Sequence, residues 1–451
     1  MHFDKLSARS ADSEPVEESA TSRTCCRIYF KTSKQGEFMK RRNFIDISGR
    51  TVLVAPFLSG AAAAQTVNKS NQLVDTPDKR KIYISKMLKA LVTDLGPHPI
   101  GSPQFDKALA IVKKELESAG FTTTLDTIEF SQWVLRTKVD LSVGGKPVEA
   151  CPSPGTRGTS PEGLTGTLKK NANATIPYYL VDSAGNNIAI VTIAPKGKAC
   201  PRSWMTYDKE PGGMTNVCVG LQDVSILEAA VSEKTPVHLQ YIVDYIPGKK
   251  TSNLIGTLHG ESPDQIVYYG HLDTTYNAPG ANDNTSSVIM MLMIAHALSG
   301  THPKKTVKIM ASTGEEYAWL GVKHLAQTWK SDGTLQKIKF IACFDGVSWG
   351  PDMSIITQDK ELMDILLAIT KDLHLKGTPQ WRNGSDSGRE TRPLRDAGLT
   401  ARGLVCDSVP DSDMNAITWH RPEDVAATVR FEPVEIAFQL FKEFLNRIQT
   451  L

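Results

Sequence analysis

Residues 265–298 read QIVYYGHLDTTYNAPGANDNTSSVIMMLMIAHAL, a strand-like run, a loop and a helix-like run with polar groups at both junctions. Gln265–Gly270 is short, apolar and rich in β-formers, and Thr285–Leu298 is apolar enough for a buried helix. His271 and Asp273 follow the first run at once, and Asp283 opens the second. The same succession recurs downstream. Thr306–Ala311 predicts a strand and Trp319–Trp329 a helix; Lys339–Phe344 a strand and Glu361–Leu373 a helix; Thr400–Cys406 a strand and Val425–Leu451 a final amphipathic helix. Alternating strands and helices predict an α/β three-layer sandwich with a mostly parallel central sheet flanked by helices. In such a sheet, ligands bind beyond the carboxyl ends of the strands.

Upstream, Lys81–Leu95 and Phe105–Ala119 carry apolar residues at helical spacing, the second stopping at Gly120, and Thr122–Leu135 alternates as a strand does. From residue 136 to 245 the texture changes to short β-like runs, Ile176–Val181, Ile188–Ile193 and Val237–Val243. Pro/Gly-rich loops separate them, and only Val224–Val231 has helical character. The expected organisation is one α/β domain from 80–135 and 246–451, interrupted by a smaller β-rich insertion at 136–245.

The first 64 residues resemble an address more than a fold. A basic stretch from Met39 through Arg41-Arg42, an apolar run from Thr51 and the alanines 61–64 describe an export signal cleaved after Ala64. The arginine pair resembles a twin-arginine signal, the natural start is expected at Met39, and the mature protein is expected in the periplasm or outside the cell. No other run approaches the length of a membrane span. A net charge of +2 gives no electrostatic case for nucleic acid or an anionic membrane. Of seven cysteines, Cys151, Cys200, Cys218, Cys343 and Cys406 remain after the cut. Their spacing fits no Cys/His zinc pattern, and each reads as a small buried residue, although Cys200 and Cys218 could bridge in an oxidising compartment.

The chemistry gathers at the strand ends. Gln265–Gly270 delivers His271 and Asp273, Thr306–Ala311 delivers Glu315 and Glu316, and Lys339–Phe344 delivers Asp345; Asp283 and His420 come from loops. Spacing alone is weak evidence, since His2-Phe3-Asp4 and Glu17-Glu18 repeat the same patterns in the leader. Convergence is what counts. Two imidazoles and three carboxylates (His271, Asp283, Glu316, Asp345, His420) form a mixed N/O set suited to zinc, and five donors suit two ions sharing one carboxylate. Glu315, beside the ligand Glu316, is the candidate general base, and Asp273 is placed to accept a hydrogen bond from the His271 ring. Core histidines and an aspartate cap on the helix would explain these residues singly but not their convergence. The remaining histidines, His98, His238, His259, His296, His302, His324 and His374, read as structural or surface residues.

These residues resemble the M28 zinc aminopeptidases over roughly 80–450, most closely from Ser252 to Val347. The likeness rests on Ser252-Asn253, Tyr269-Gly270-His271-Leu272-Asp273, Gly280–Asn284 and Gly314-Glu315-Glu316. The resemblance implies a two-zinc exopeptidase acting on peptides, an aminopeptidase first. A carboxypeptidase or dipeptidase, a glutaminyl cyclase-like enzyme, or an inactive receptor-like protein on the same fold are the alternatives. It further implies His271 and Asp345 on one zinc, Glu316 and His420 on the other, Asp283 between them and a cis peptide after Asp283. The insertion resembles, more weakly, a protease-associated domain. The chain departs from the family pattern at Tyr317–Val322, Ser385-Asp386-Ser387 and Trp419–Asp424, which leaves the substrate pocket outside the resemblance.

Overall fold

A computed structural model describes residues 70–172, 177–202 and 213–451; the expected leader lies outside them. Two helices open the fold. Helix α1, Pro77–Leu88, starts where Thr76 Oγ1 accepts the N–H of Lys79, and Pro77 sits where no donor is needed. Helix α2, Pro103–Ser118, repeats the device with Ser102 and Pro103. It ends in a Schellman closure, Phe121 N–H to Leu116 O and Gly120 N–H to Glu117 O, which Gly120 permits at φ +89.

Strand β1, Thr122–Leu135, leads into eight short strands: β2 Asp140–Val143, β3 Lys146–Pro147, β4 Ala150–Pro152, β5 Leu164–Lys170, β6 Tyr178–Val181, β7 Asn187–Ile193, β8 Thr215–Val219 and β9 Pro236–Gln240. They form one sheet in the order β3-β2-β9-β5-β6-β7-β8-β4, antiparallel except between β7 and β8. Helix α3, Val224–Glu233, packs Leu227 and Ala230 into its core. The chain returns in β10, Val243–Leu258, which pairs with β1 along its length from Leu135↔Val243 to Thr122↔Thr257. The β-rich excursion therefore hangs from the far end of a two-stranded ribbon. That ribbon runs straight through residues 245 and 246, where composition alone places a boundary.

The second sheet adds β11 Ser262–His271, β12 Lys305–Ser312, β13 Ile338–Phe344, β14 Met353–Thr357, β15 Gln380–Asn383 and β16 Arg402–Ser408, in the order β1-β10-β12-β11-β13-β16-β14-β15. Its centre, β12-β11-β13-β16, is parallel, whereas β1, β10 and β14 join antiparallel. Strands β14 and β15 have no counterpart in the sequence reading. Both are short, and β15 is exposed throughout, so no burial pattern marks it.

The central strand β11 is buried on both faces. Ile266 and Tyr268 join the core beneath α1, α2 and three later helices: α4 Ser286–Ala297, α6 Lys360–Asp372 and α7 Phe431–Ile448. Val267 and Tyr269 join the opposite core with α5, Leu320–Ser331. This alternation is the two-residue period of a strand placed between two helical layers. Helix α4 is buried from Ser286 to His296, consistent with a run apolar on every side. Helix α7 starts at Phe431, not at Val425 as periodicity suggests, because residues 425–430 form a short turn that reaches the site loop through Thr428. Cys200 and Cys218 pack together as free thiols, so the possible bridge between them is not formed.

Arg80 of α1 ties the first helix to the last. Its guanidinium donates to Glu435 of α7, Nε to Oε2 at 2.7 Å, and to the carbonyl of Val74. Removing one member of a buried pair strands the other charge. Arg80→Met is therefore expected to destabilise the fold by about 3–5 kcal/mol; a urea midpoint unchanged from wild type would contradict this.

Candidate metal centre

Strand register assembles the site. His271 closes β11 opposite Ser312 of β12, and Tyr269 lies opposite Cys343 of β13, so His271 and Asp345 leave the sheet abreast. The strands approach closely at Gly270, where a Cβ would stand 2.6 Å from the carbonyl of Phe344. Beyond β12, Gly314 turns at φ +70 and presents Glu315 and Glu316. Asn253 of β10 pins this turn by accepting the N–H of Thr313 at 3.1 Å and donating to Gly321 O at 2.9 Å.

Asp283 reaches the same place from the turn before α4, and the Asp283–Asn284 peptide is cis. Its neighbours hold it. Asn284 donates to Phe344 O at 2.8 Å and accepts from Gly346 N–H at 3.0 Å, clasping both sides of Asp345. Asp424 accepts the N–H groups of Asn282 and Asp283 at 2.9 and 3.1 Å and the Asn282 side chain at 2.7 Å. Burial pushes the Asp424 carboxyl up to about 7 despite these donors. Asn284 and Asp424 lie within motifs that the sequence singles out, yet nothing in spacing assigns them a task.

His420 stands in the left-handed region at φ +56, with Trp419 stacked on its ring at 3.9 Å. Its Nδ1 lies 2.8 Å from the carbonyl of Pro201, in the loop after β7, and Arg421 donates to the carbonyls of Lys196 and Lys198 in the same loop. The β-rich segment thus contributes backbone to the site.

All five predicted donors meet in two groups that share Asp283, all buried except the half-buried Asp345. Its Oδ1 is 3.2 Å from His271 Nε2, which is 3.6 Å from Asp345; its Oδ2 is 3.4 Å from His420 Nε2, which is 3.2 Å from Glu316 Oε2. In each group the three donor atoms lie within 4.8 Å of one another. His271 Nε2 and Glu316 Oε2 are buried without a hydrogen-bond partner, and such atoms are costly unless something binds them. Burial would lower both imidazoles, but the facing carboxylates raise them well above their ordinary value: Asp283 and Asp345 for His271, Glu316 and Asp283 for His420. Asp283, which burial would raise, is instead held below the usual carboxylate range by the two imidazoles. The cluster therefore draws positive charge to itself. Its donor set fits one divalent ion in each group, with Asp283 serving both.

Glu315 belongs to neither group. It lines a cavity of about 750 Å³ together with Asp345 and Arg389, and Trp319 Nε1 donates to its Oε1 at 3.1 Å. Burial raises its pKa well above the usual carboxylate value. Trp319, at φ +60, lies in the stretch that departs from the family pattern.

Asp273 acts differently from the expectation. His271 Nδ1 meets the Asp273 backbone carbonyl at 2.9 Å, while the carboxylate is 4.0 Å away and accepts the N–H groups of Glu315 and Glu316, both at 3.2 Å. The carboxylate faces β12 because two otherwise unpaired turn amides lie there. His98, read as structural or surface, is fully buried against Thr274, whose hydroxyl accepts its backbone N–H at 2.9 Å; one other residue escaped the sequence reading. Glu390, also lining the large cavity, is pushed up to about 7 by burial and accepts from Ser312 Oγ at 3.0 Å.

Known proteins share this arrangement of sheet and helices. A Shewanella amazonensis structure described as a peptidase M28 precursor matches with a TM-score of 0.67 at 15% identity, over 86% of this chain and 97% of the other. A zinc aminopeptidase from Bacillus subtilis matches with a TM-score of 0.61 at 16% identity, over 81% and 94%. In sequence, the chain is 24% identical to a probable lipoprotein aminopeptidase of Mycobacterium tuberculosis over 79% of this chain and 75% of that one. It is 21% identical to an aminopeptidase of Bacillus subtilis over 86% and 89%. The profile of peptidase family M28 matches residues 253–444, from the asparagine that pins the Glu315 turn to helix α7. Residues 253–444 are thus similar to the peptidase family M28 domain.

Proposed function

We propose that the protein is an exported two-zinc exopeptidase that cleaves residues from the ends of peptides, acting first of all as an aminopeptidase. The observation that carries this reading is the direction of the two Asp283 oxygens, one toward His271 and the other toward His420. A carboxylate so placed would serve two ions at once. His271 and Asp345 would hold one zinc, Glu316 and His420 the other. When bound, zinc supplies Lewis acidity that activates water and polarises the scissile carbonyl.

The chain's own groups move the proton. Glu315 lines the cavity, and its raised pKa suits a group that takes a proton from the attacking water and passes it to the leaving amine. Trp319 holds one Glu315 oxygen and leaves the other for this exchange. Asp273 orients the Glu315–Glu316 turn through its amides and His271 through its carbonyl. The names of the relatives support the aminopeptidase choice. A one-metal cyclase would leave one donor group without purpose, and an inactive receptor-like protein would leave both. Export rests on the leader, with residues 136–245 travelling as a protease-associated-like insertion. Mass spectrometry of the exported protein is expected to give a mature terminus at Gln65, and retention of residues 39–64 would count against export by this signal.

Glu315→Gln is expected to keep both zinc ions and the fold while lowering kcat by about 10²–10⁴-fold; near-normal turnover would remove Glu315 as the base. Asp283→Ala is expected to abolish stoichiometric zinc binding, measured by titration on the apoprotein. Two ions still held by that variant would refute the shared carboxylate. Asp424→Ala touches no ion directly, yet it is expected to weaken zinc about 10–100-fold by freeing the Asp283 loop.

A further inference from the structure

A second, smaller cavity of about 170 Å³ flanks Asp345 on the side of Trp349 and Trp419. Lys196 and Arg389 both line it, and Arg389 also lines the large cavity that contains Glu315. The two cations arrive from different parts of the fold, Lys196 from the loop after β7 and Arg389 from the loop before β16. No pairing within one element explains their meeting.

Their neighbours neutralise only part of this charge. Asp407 accepts one bond from Arg389 Nη2, at 3.3 Å, and Lys196 Nζ donates to the neutral Asn415 side chain. Arg389 is 46% exposed, and among the described residues its side chain makes no other hydrogen bond. Asp345, also in the cavity wall, is committed to the metal site. Within the smaller cavity the two cations thus face Asp407 and Asp345, and with Asp345 turned to the metal site the Arg389 fork and the Lys196 ammonium keep donors free for a ligand. A guanidinium offers a planar fork and an ammonium a point charge, the combination that grips a carboxylate.

From this juxtaposition, we infer that Lys196 and Arg389 bind a carboxylate of the substrate within reach of the metal centre, so that the enzyme selects acidic substrates. The inference rests on the two-zinc peptidase reading. The carboxylate is either an Asp or Glu side chain at the cleaved residue or the free α-carboxylate of a dipeptide. Both present the same group to the pair.

The test uses the zinc-loaded full-length protein and two matched comparisons: glutamyl against glutaminyl p-nitroanilide, and Ala-Ala against Ala-Ala-amide. At least one comparison is expected to favour the carboxylate form by about tenfold or more in kcat/KM, chiefly through KM. The comparison that shows the preference identifies the source. Arg389→Met and Lys196→Met, made separately so that one misfolded variant is not decisive, are expected to bring that ratio toward one. Ratios near one in the wild type, with the neutral substrates still cleaved, would overturn the inference and leave the peptidase reading standing. A preference unaltered in both folded variants would also overturn it. No turnover of any substrate would overturn the peptidase reading, and the inference with it.

Discussion

The parallel pairing of β11 with β12 on one side and β13 on the other sets everything else in place. It brings His271, the Glu315–Glu316 turn and Asp345 to one edge of the sheet. Side chains there point past the last ladder bond into space that no strand fills. Closeness between β11 and β13 depends on Gly270, since any Cβ would strike the Phe344 carbonyl. The two helical layers hold this pairing rigid. Tyr268 donates to Phe441 O of α7 at 3.1 Å, and Tyr269 lies 2.9 Å from the Thr391 hydroxyl on the opposite face.

Onto that edge the fold loads a concentration of charge that a protein interior ordinarily rejects. Asp273, Asp283, Glu316 and Asp424 are all buried, as are His271 and His420. Two kinds of group make this tolerable. Backbone amides meet Asp273 and Asp424, the carboxylates outside both donor groups, and the remaining charges face one another around Asp283. The arrangement is one that binding would complete: His271 Nε2 and Glu316 Oε2, both buried without partners, are atoms a divalent ion would take.

The β-rich segment does more than decorate the fold. Through Pro201 it orients His420, through the carbonyls of residues 196 and 198 it anchors Arg421, and through Lys196 it adds a cation to the cavity beside Asp345. Because it hangs from the β1–β10 ribbon, its position is tied to β10, which also carries Asn253 and so the Glu315 turn. The His420 loop and the Glu315 turn are thereby linked through one pair of strands.

Most of this was legible early. The five candidate donors, the candidate base and the strands behind His271, Glu315, Glu316 and Asp345 are written in short local signals, because a strand followed closely by His, Glu or Asp advertises itself within ten residues. Likewise, Gly120 marks the end of α2, whose start periodicity places at Phe105 and the fold at Pro103. Strand β15 was not legible, being exposed and patternless, nor was the contact partner of the His271 ring, which depends on where two turn amides fall. By itself, the sequence determined the α/β alternation, the identity of the donors and their order along the chain. Only the tertiary structure decided that Asp283 divides its oxygens between two groups, that Pro201 touches His420 and that Lys196 meets Arg389. Those pairs are separated by up to 219 residues, and strand register and packing set such distances, which no local periodicity encodes.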